Sequence, residues 1–220
     1  MAFKKALALH HFSIWIIIYL IKVIIYCLSI NIYLNLLFNF KNSNMSTKTK
    51  TETILVVMNV LAWIIFIGLM IEAGAILVTY GVGLANPKIV TKLYKGMDWD
   101  NLRQYDVWYY TGIVTLKAAI LILEAYTAYM VIKVLTTIKM TNPFTMQVAK
   151  KLENIAYTLM LVWVAVLIYN GQLKWLSKDV ADLEGKMLST ELIIYAGLVF
   201  VISQIFKKGV EIQTENELTV

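Results

Sequence analysis

The sequence predicts an all-α integral membrane helix bundle, with four spans in residues 45–220 and an extra hydrophobic helix in residues 1–44. Three observations lead there. Hydrophobic residues make up 60% of the chain and charged residues 15%, against roughly 45–50% apolar in an ordinary soluble domain. Apolar stretches recur at the length of about 20 residues that a helix needs to cross about 30 Å of hydrocarbon. No set of segments alternates with period two, the pattern a membrane barrel would require.

The stretches run from about Phe12 to Phe38, Ile54 to Tyr80, Val107 to Leu135, Leu152 to Tyr169 and Leu192 to Phe206. The first is of a different kind. Residues 1–44 hold no glycine and no acidic residue and are rich in Ile, Leu, Phe, Tyr, Asn and Lys, the products of AT-rich codons. Met45-Ser46-Thr47-Lys48-Thr49-Lys50 then leads straight into a span. The favoured expectation is that translation starts at Met45 and that the extension comes from a start placed too early; a genuine fifth span is the competing reading. Lys4 and Lys5 before an apolar run suggest a signal peptide, but the run is too long for its apolar region and no small-x-small cleavage site follows.

Four spans place both ends of residues 45–220 on one side, called here the near side. Lys48, Lys50, Lys133, Lys139, Lys150, Lys151, Lys207 and Lys208 fall there, against Lys88, Lys92, Lys95, Arg103, Lys174, Lys178 and Lys186 on the far side; the eight near-side lysines lie closer to span ends, where basic residues weigh most on orientation. The expectation is a cytoplasmic near side. The net charge of +6 is then a membrane-topology feature, and no direct nucleic-acid partner is expected. Tyr80, Trp99, Trp108, Tyr109, Tyr110, Tyr169 and Trp175 gather toward the far side and read as an interfacial aromatic belt. Asn142-Pro143 reads as a helix start, with Asn as N-cap and Pro at the first helical position. Leu173, Leu176, Val180, Leu183 and Met187 recur at helical spacing among charges and predict a short amphipathic helix in the second far-side loop.

The residue inventory excludes familiar chemistries. Cys27 is the sole cysteine, so neither an internal disulfide nor a thiolate metal site can form. His10 and His11 are the only histidines, adjacent and without an HExxH frame. No serine sits in a GxSxG elbow, and Gly81-Val82-Gly83 lacks the Gly-Lys-Ser/Thr of a phosphate loop. No catalytic residue, cofactor or metal is expected, and the chain reads as non-enzymatic.

Charge inside spans falls on Glu72, Lys117 and Glu124. A charge at mid-bilayer costs about 2.5–3.5 kcal/mol, so such groups turn inward and pair, or line a conduit. Counting about 1.5 Å per residue from the far-side span ends puts Glu72 roughly 12 Å and Lys117 roughly 15 Å deep, which predicts a Glu72–Lys117 pair. Glu124, about two turns deeper than Lys117, is then left to be protonated or to meet Asn59. Asn59 and Gln204 read as interhelical hydrogen-bond partners.

The last span runs into Gln204-Ile205-Phe206-Lys207-Lys208-Gly209-Val210-Glu211 and ends in Glu215-Asn216-Glu217-Leu218-Thr219-Val220. Together with Asn142-Pro143-Phe144-Thr145 and Lys151-Leu152-Glu153-Asn154-Ile155-Ala156-Tyr157, this resembles a family of bacterial membrane proteins catalogued as domain of unknown function 2975, over about Met45 to Val220. The resemblance implies a four-span bacterial inner-membrane protein beginning near Met45. It carries no activity. It implies by association a cytosolic helix-turn-helix transcriptional regulator as partner, because family members are often encoded beside one. Two main function classes follow, with immunity or envelope-stress protection as a third. One is a membrane component that signals to, or sequesters, such a regulator through the Thr136–Lys151 loop and the tail, with Asn142, Pro143, Phe144, Glu215, Asn216, Glu217, Leu218, Thr219 and Val220 as partner-binding residues. The other is a small transporter or ion-conducting protein using Glu72, Lys117 and Glu124. The mostly apolar spans favour the first.

Overall fold

The computed structural model describes residues 50–85, 99–138, 142–181, 183 and 187–218. The Met45 start, the N-terminal extension, Thr219 and Val220 lie outside the described residues. Among the described residues there are five helices: α1 Lys50–Ala85, α2 Asp100–Tyr105, α3 Val107–Leu135, α4 Met146–Leu176 and α5 Leu192–Leu218. All but α2 are long and apolar enough to cross a membrane, and no strand occurs among the described residues. This is an all-α membrane-type bundle.

The chain divides into two compact units, residues 1–53 with 74–98, and residues 54–73 with 99–220. In the first, the described residues are the two ends of α1, where Ile76 and Thr79 are buried. The second holds α2–α5 and the middle of α1. Within it α4 packs against both α3 and α5 and is the central helix. Each neighbour follows α4 or precedes it across a short connection, so the three run antiparallel.

The packing follows a seven-residue period. On α4, Val148, Ile155, Val162, Tyr169 and Leu176 are all buried. On α3, Ile113, Ile120, Thr127 and Val134 are buried at the same spacing. A strict heptad keeps one stripe facing a neighbour along a long helix. Small residues enter the seams at Ala149 and Ala156 on α4 and at Ala196 and Ser203 on α5, which lets backbones approach. That matters in lipid, where apolar side chains gain nothing by leaving the bilayer and association rests on contact and hydrogen bonding. Ser203 donates to the Phe200 carbonyl at 2.6 Å and so carries no bare hydroxyl into the seam.

The far end is organised by polar caps. Asp106 is the N-cap of α3, accepting from the amides of Trp108 at 2.6 Å and Tyr109 at 3.3 Å. Arg103 and Asp100 pair at 2.7 Å across one turn of α2. The Asp179 carboxylate, beside Tyr105 and hydrogen-bonded to it, raises the phenol above its ordinary pKa. Two sequence expectations are corrected here. The described residues of the stretch Leu173–Met187 form no separate amphipathic helix: Leu173 and Leu176 close α4, and Ser177–Ala181 is a run of turns. Its apolar positions Leu173, Leu176, Val180 and Leu183 are nonetheless buried. The aromatic belt also divides. Trp108, Tyr109 and Trp175 are exposed as a belt requires, with Tyr109 against Trp175 at 5.5 Å between centroids. Trp99, Tyr110 and Tyr169 are core residues.

The link from α4 to α5 is held by Asn170. Its side-chain amide donates to the Leu188 carbonyl at 2.8 Å and its oxygen accepts from the Leu188 amide at 2.9 Å. One side chain thus satisfies both backbone groups of an extended residue. Asn170→Ala should destabilise the protein by about 1–3 kcal/mol, read as a lower thermal midpoint in detergent. Asn170→Asp, which keeps the acceptor and loses the donor, should fall between the two; an unchanged midpoint in both would reject the clamp.

Candidate functional site

The near end of the second unit brings together the recurring stretches noted in the sequence. α4 begins at Met146, three residues later than Asn142-Pro143 suggested, because Thr145 is the N-cap: its hydroxyl accepts from the Val148 amide at 3.3 Å. Pro143 instead sits in the connection and biases the residue before it to extended backbone. Phe144 is therefore outside the helix and reaches across to α5. Its ring packs on Phe206 at 5.2 Å between centroids. It also fills the notch left by Gly209, where an added Cβ would lie 2.7 Å from the ring. Phe206 in turn joins the near-end core of Val134, Val148 and Ile155.

Beside this aromatic contact lies a polar one. Lys207 donates to Glu153 Oε1 at 2.8 Å, linking α5 to α4, with both side chains less than a third exposed. Tyr157 donates to the same carboxylate oxygen at 3.4 Å, and Gln204 also hydrogen-bonds to Glu153. Tyr157 stacks near Phe200 at 6.1 Å. Gln204 is thus an interhelical partner, as expected. Glu153, Tyr157 and Gly209 were legible only as parts of the resemblance, and Lys207 was singled out otherwise only as a near-side charge.

The tail is a helix, not a loose peptide. α5 continues past the last apolar residues to Leu218, so Glu215 and Asn216 are exposed on a helix that projects from the near end. Lys208 pairs with Glu211 at 2.9 Å along that extension. Asn142 is exposed and Pro143 half-buried.

The intramembrane charges are distributed differently. Phe66 of α1 meets Tyr129 of α3 at 6.1 Å between centroids, and Glu72 lies within electrostatic reach of Glu124. One contact moves up α1 as the other moves down α3, so these segments are antiparallel. Lys117 then lies seven residues, about 10 Å, to the far side of Glu124, and no ion pair joins it to Glu72 among the described residues. The expected Glu72–Lys117 pair is replaced by two carboxylates at one depth. The cause is register: the Phe66–Tyr129 contact sets α1 deeper against α3 than equal loop lengths implied. Asn59 lies seven residues to the near side of Phe66, too far to meet Glu124, and its buried amide oxygen has no hydrogen-bond partner among the described residues.

Comparison with known sequences fits this picture. Residues 95–220, more than half of the chain, match the family described as Protein of unknown function (DUF2975). The chain belongs to this family. The match covers α2 to α5 and every near-end residue described above, and it begins later than the Met45 boundary expected from the resemblance. No curated protein matches the chain, and no solved structure does.

Two experiments test the near-end geometry. Gly209→Ala should gain helix propensity, up to about 1 kcal/mol, yet displace the Phe144 ring. In a Phe144→Ala background the gain should be realised in full. The two changes should therefore couple by about 0.5–3 kcal/mol in a double-mutant cycle on thermal stability, and strict additivity would reject the contact. For the ion pair, Glu153→Gln and Lys207→Met should each lower the thermal midpoint more than the two together, since a single change strands one charge at a helix interface. The exchanged pair, Glu153→Lys with Lys207→Glu, should recover most of the loss.

Proposed function

We propose that this chain is a non-enzymatic multi-pass protein of a bacterial cytoplasmic membrane that signals to, or sequesters, a cytosolic helix-turn-helix regulator. The surface for that partner is the near end: the Thr136–Lys151 connection, including Asn142, Pro143 and Phe144, and the tail, with Glu211 to Leu218 at the end of α5 and Thr219 and Val220 after it. The observation that carries the reading is the contact of Phe144 with Gly209 and Phe206. It joins the connection to the tail helix, so that a partner gripping the tail would also act on the connection and, through Glu153–Lys207, on the α4–α5 seam. The test is affinity capture in detergent of the full chain, of a chain ending at Val210 and of Phe144→Ala. The expected result is a DNA-binding protein recovered with the full chain, lost on truncation and weakened by Phe144→Ala. Equal recovery with all three would overturn the reading. Orientation is tested separately with Cys27→Ser carrying Glu215→Cys or Ser189→Cys. In intact cells an impermeant thiol reagent should label Ser189→Cys and spare Glu215→Cys.

A second reading, a small transporter or ion conductor, is favoured by one observation, the shared depth of Glu72 and Glu124. Two carboxylates there would be held by a shared proton or cation. Proton flux into liposomes that is present with the wild type and lost in both Glu72→Gln and Glu124→Gln would replace the first reading with this one.

A further inference from the structure

The near end carries positive charge that has no acidic partner among the described residues. Lys207 and Lys208 have carboxylate partners, Glu153 and Glu211. Lys133, Lys150 and Lys151, at the corner between the end of α3 and the start of α4, have none among the described residues. Their recorded partners are neutral. Lys151 donates to the Thr137 hydroxyl and to the Lys133 carbonyl, the latter at 3.4 Å. The Lys133 ammonium lies 4.8 Å over the Tyr129 ring. Lys150 is exposed. These contacts hold Lys133 and Lys151 in place and leave their charge unbalanced. Glu153, the acidic residue nearest along α4, is already taken by Lys207.

The corner sits where a lipid headgroup would lie. Lys133 is two residues from the end of α3, and Lys150 and Lys151 stand in the second turn of α4. Below Lys133 on the same helical face come Tyr129, Tyr126 and Ile122, at steps of four, three and four residues. Tyr126 and Ile122 are exposed. A cluster of cations above an exposed apolar stripe matches a molecule with an anionic head and a hydrocarbon tail, and matches free phosphate or an acidic peptide less well. We infer that the Lys133–Lys150–Lys151 corner binds the headgroup of an anionic glycerophospholipid, with an acyl chain along Tyr126 and Ile122. This site is separate from the tail of α5 and shares Lys150 and Lys151 with the Thr136–Lys151 connection, but it does not depend on the partner proposed above.

The test uses the full chain in neutral detergent, titrated with phosphatidylglycerol, phosphatidylcholine or inorganic phosphate, with binding read by thermal midpoint and by native mass spectrometry. Phosphatidylglycerol should bind selectively. Each lysine near an anionic surface is worth about five-fold in affinity, so the combined Lys133→Gln, Lys150→Gln, Lys151→Gln variant should lose on the order of 100-fold. Lys174→Gln with Lys178→Gln, at the far end, should bind as the wild type does. If the triple variant does not fold, Lys150→Glu alone, at an exposed side chain, should weaken phosphatidylglycerol binding, and the triple Arg variant should retain it. Equal binding of phosphatidylcholine, equal response to inorganic phosphate, or unchanged affinity in the Gln or Glu variants would overturn the assignment.

Discussion

The bundle depends on α4 being shared by two neighbours. In hydrocarbon the backbone must satisfy itself, which fixes the elements as helices, but nothing in lipid presses one helix on another. What α4 offers is a heptad seam, with Ala149 and Ala156 permitting close approach near its start, so that α3 and α5 can each gain dispersion contact along its length. Polar side chains then fix register at the ends: Asn170 on Leu188 at the far end, Glu153 with Lys207 at the near end. Remove either and the seam can still form, but its axial position is less constrained.

That division of labour explains where chemistry is concentrated. The interior is apolar contact with small residues and internally bonded hydroxyls such as Ser203 and Thr127. The near end is different: an ion pair, an aromatic ring seated on a glycine, and three cations without acidic partners among the described residues lie within a few turns of one another. Lys207 shows why they belong together. It ends the apolar part of α5 and must keep its charge near the interface, and pairing with Glu153 lets it do so while pulling α5 onto α4. The same seating brings Gly209 under Phe144. The ion pair and the aromatic notch are therefore one junction, and motion of the tail helix cannot be independent of the α3–α4 connection.

Much of this was legible in the sequence, for a physical reason: span detection needs only a long apolar window, and helices in lipid rarely disappoint it. Val107–Leu135 was read with its observed bounds. The windows for α4 and α5 were too short, since backbone hydrogen bonding does not stop where apolar residues do; α4 gains turns at both ends and α5 runs on through Lys207 to Leu218. Caps and seams were less legible. Pro143 looked like a first helical residue, but the first turn forms later, where Thr145 accepts from the Val148 amide. Tyr110 and Tyr169 looked like belt residues because they are aromatic and near the interface; their position on a buried stripe decides otherwise. Phe144 was picked out, whereas its partner Gly209 could not be, because a glycine in a helix shows its purpose only when the opposing ring is known.

The intramembrane charges show where sequence counting stops. Matching depths through a shared loop assumes that both helices begin at the same level. The Phe66–Tyr129 contact replaces that assumption with a different register, in which Glu72 lies within electrostatic reach of Glu124 and forms no ion pair with Lys117 among the described residues. The consequence is qualitative. A Glu–Lys pair neutralises itself, whereas two neighbouring carboxylates repel. The two function classes therefore differ in what each end of the molecule must exchange: a macromolecule at the Phe144–Gly209 junction, or a small cation at Glu72 and Glu124. The junction has the fuller set of interhelical contacts, with a ring, a notch and an ion pair already seated, which is why the balance of physical argument lies there.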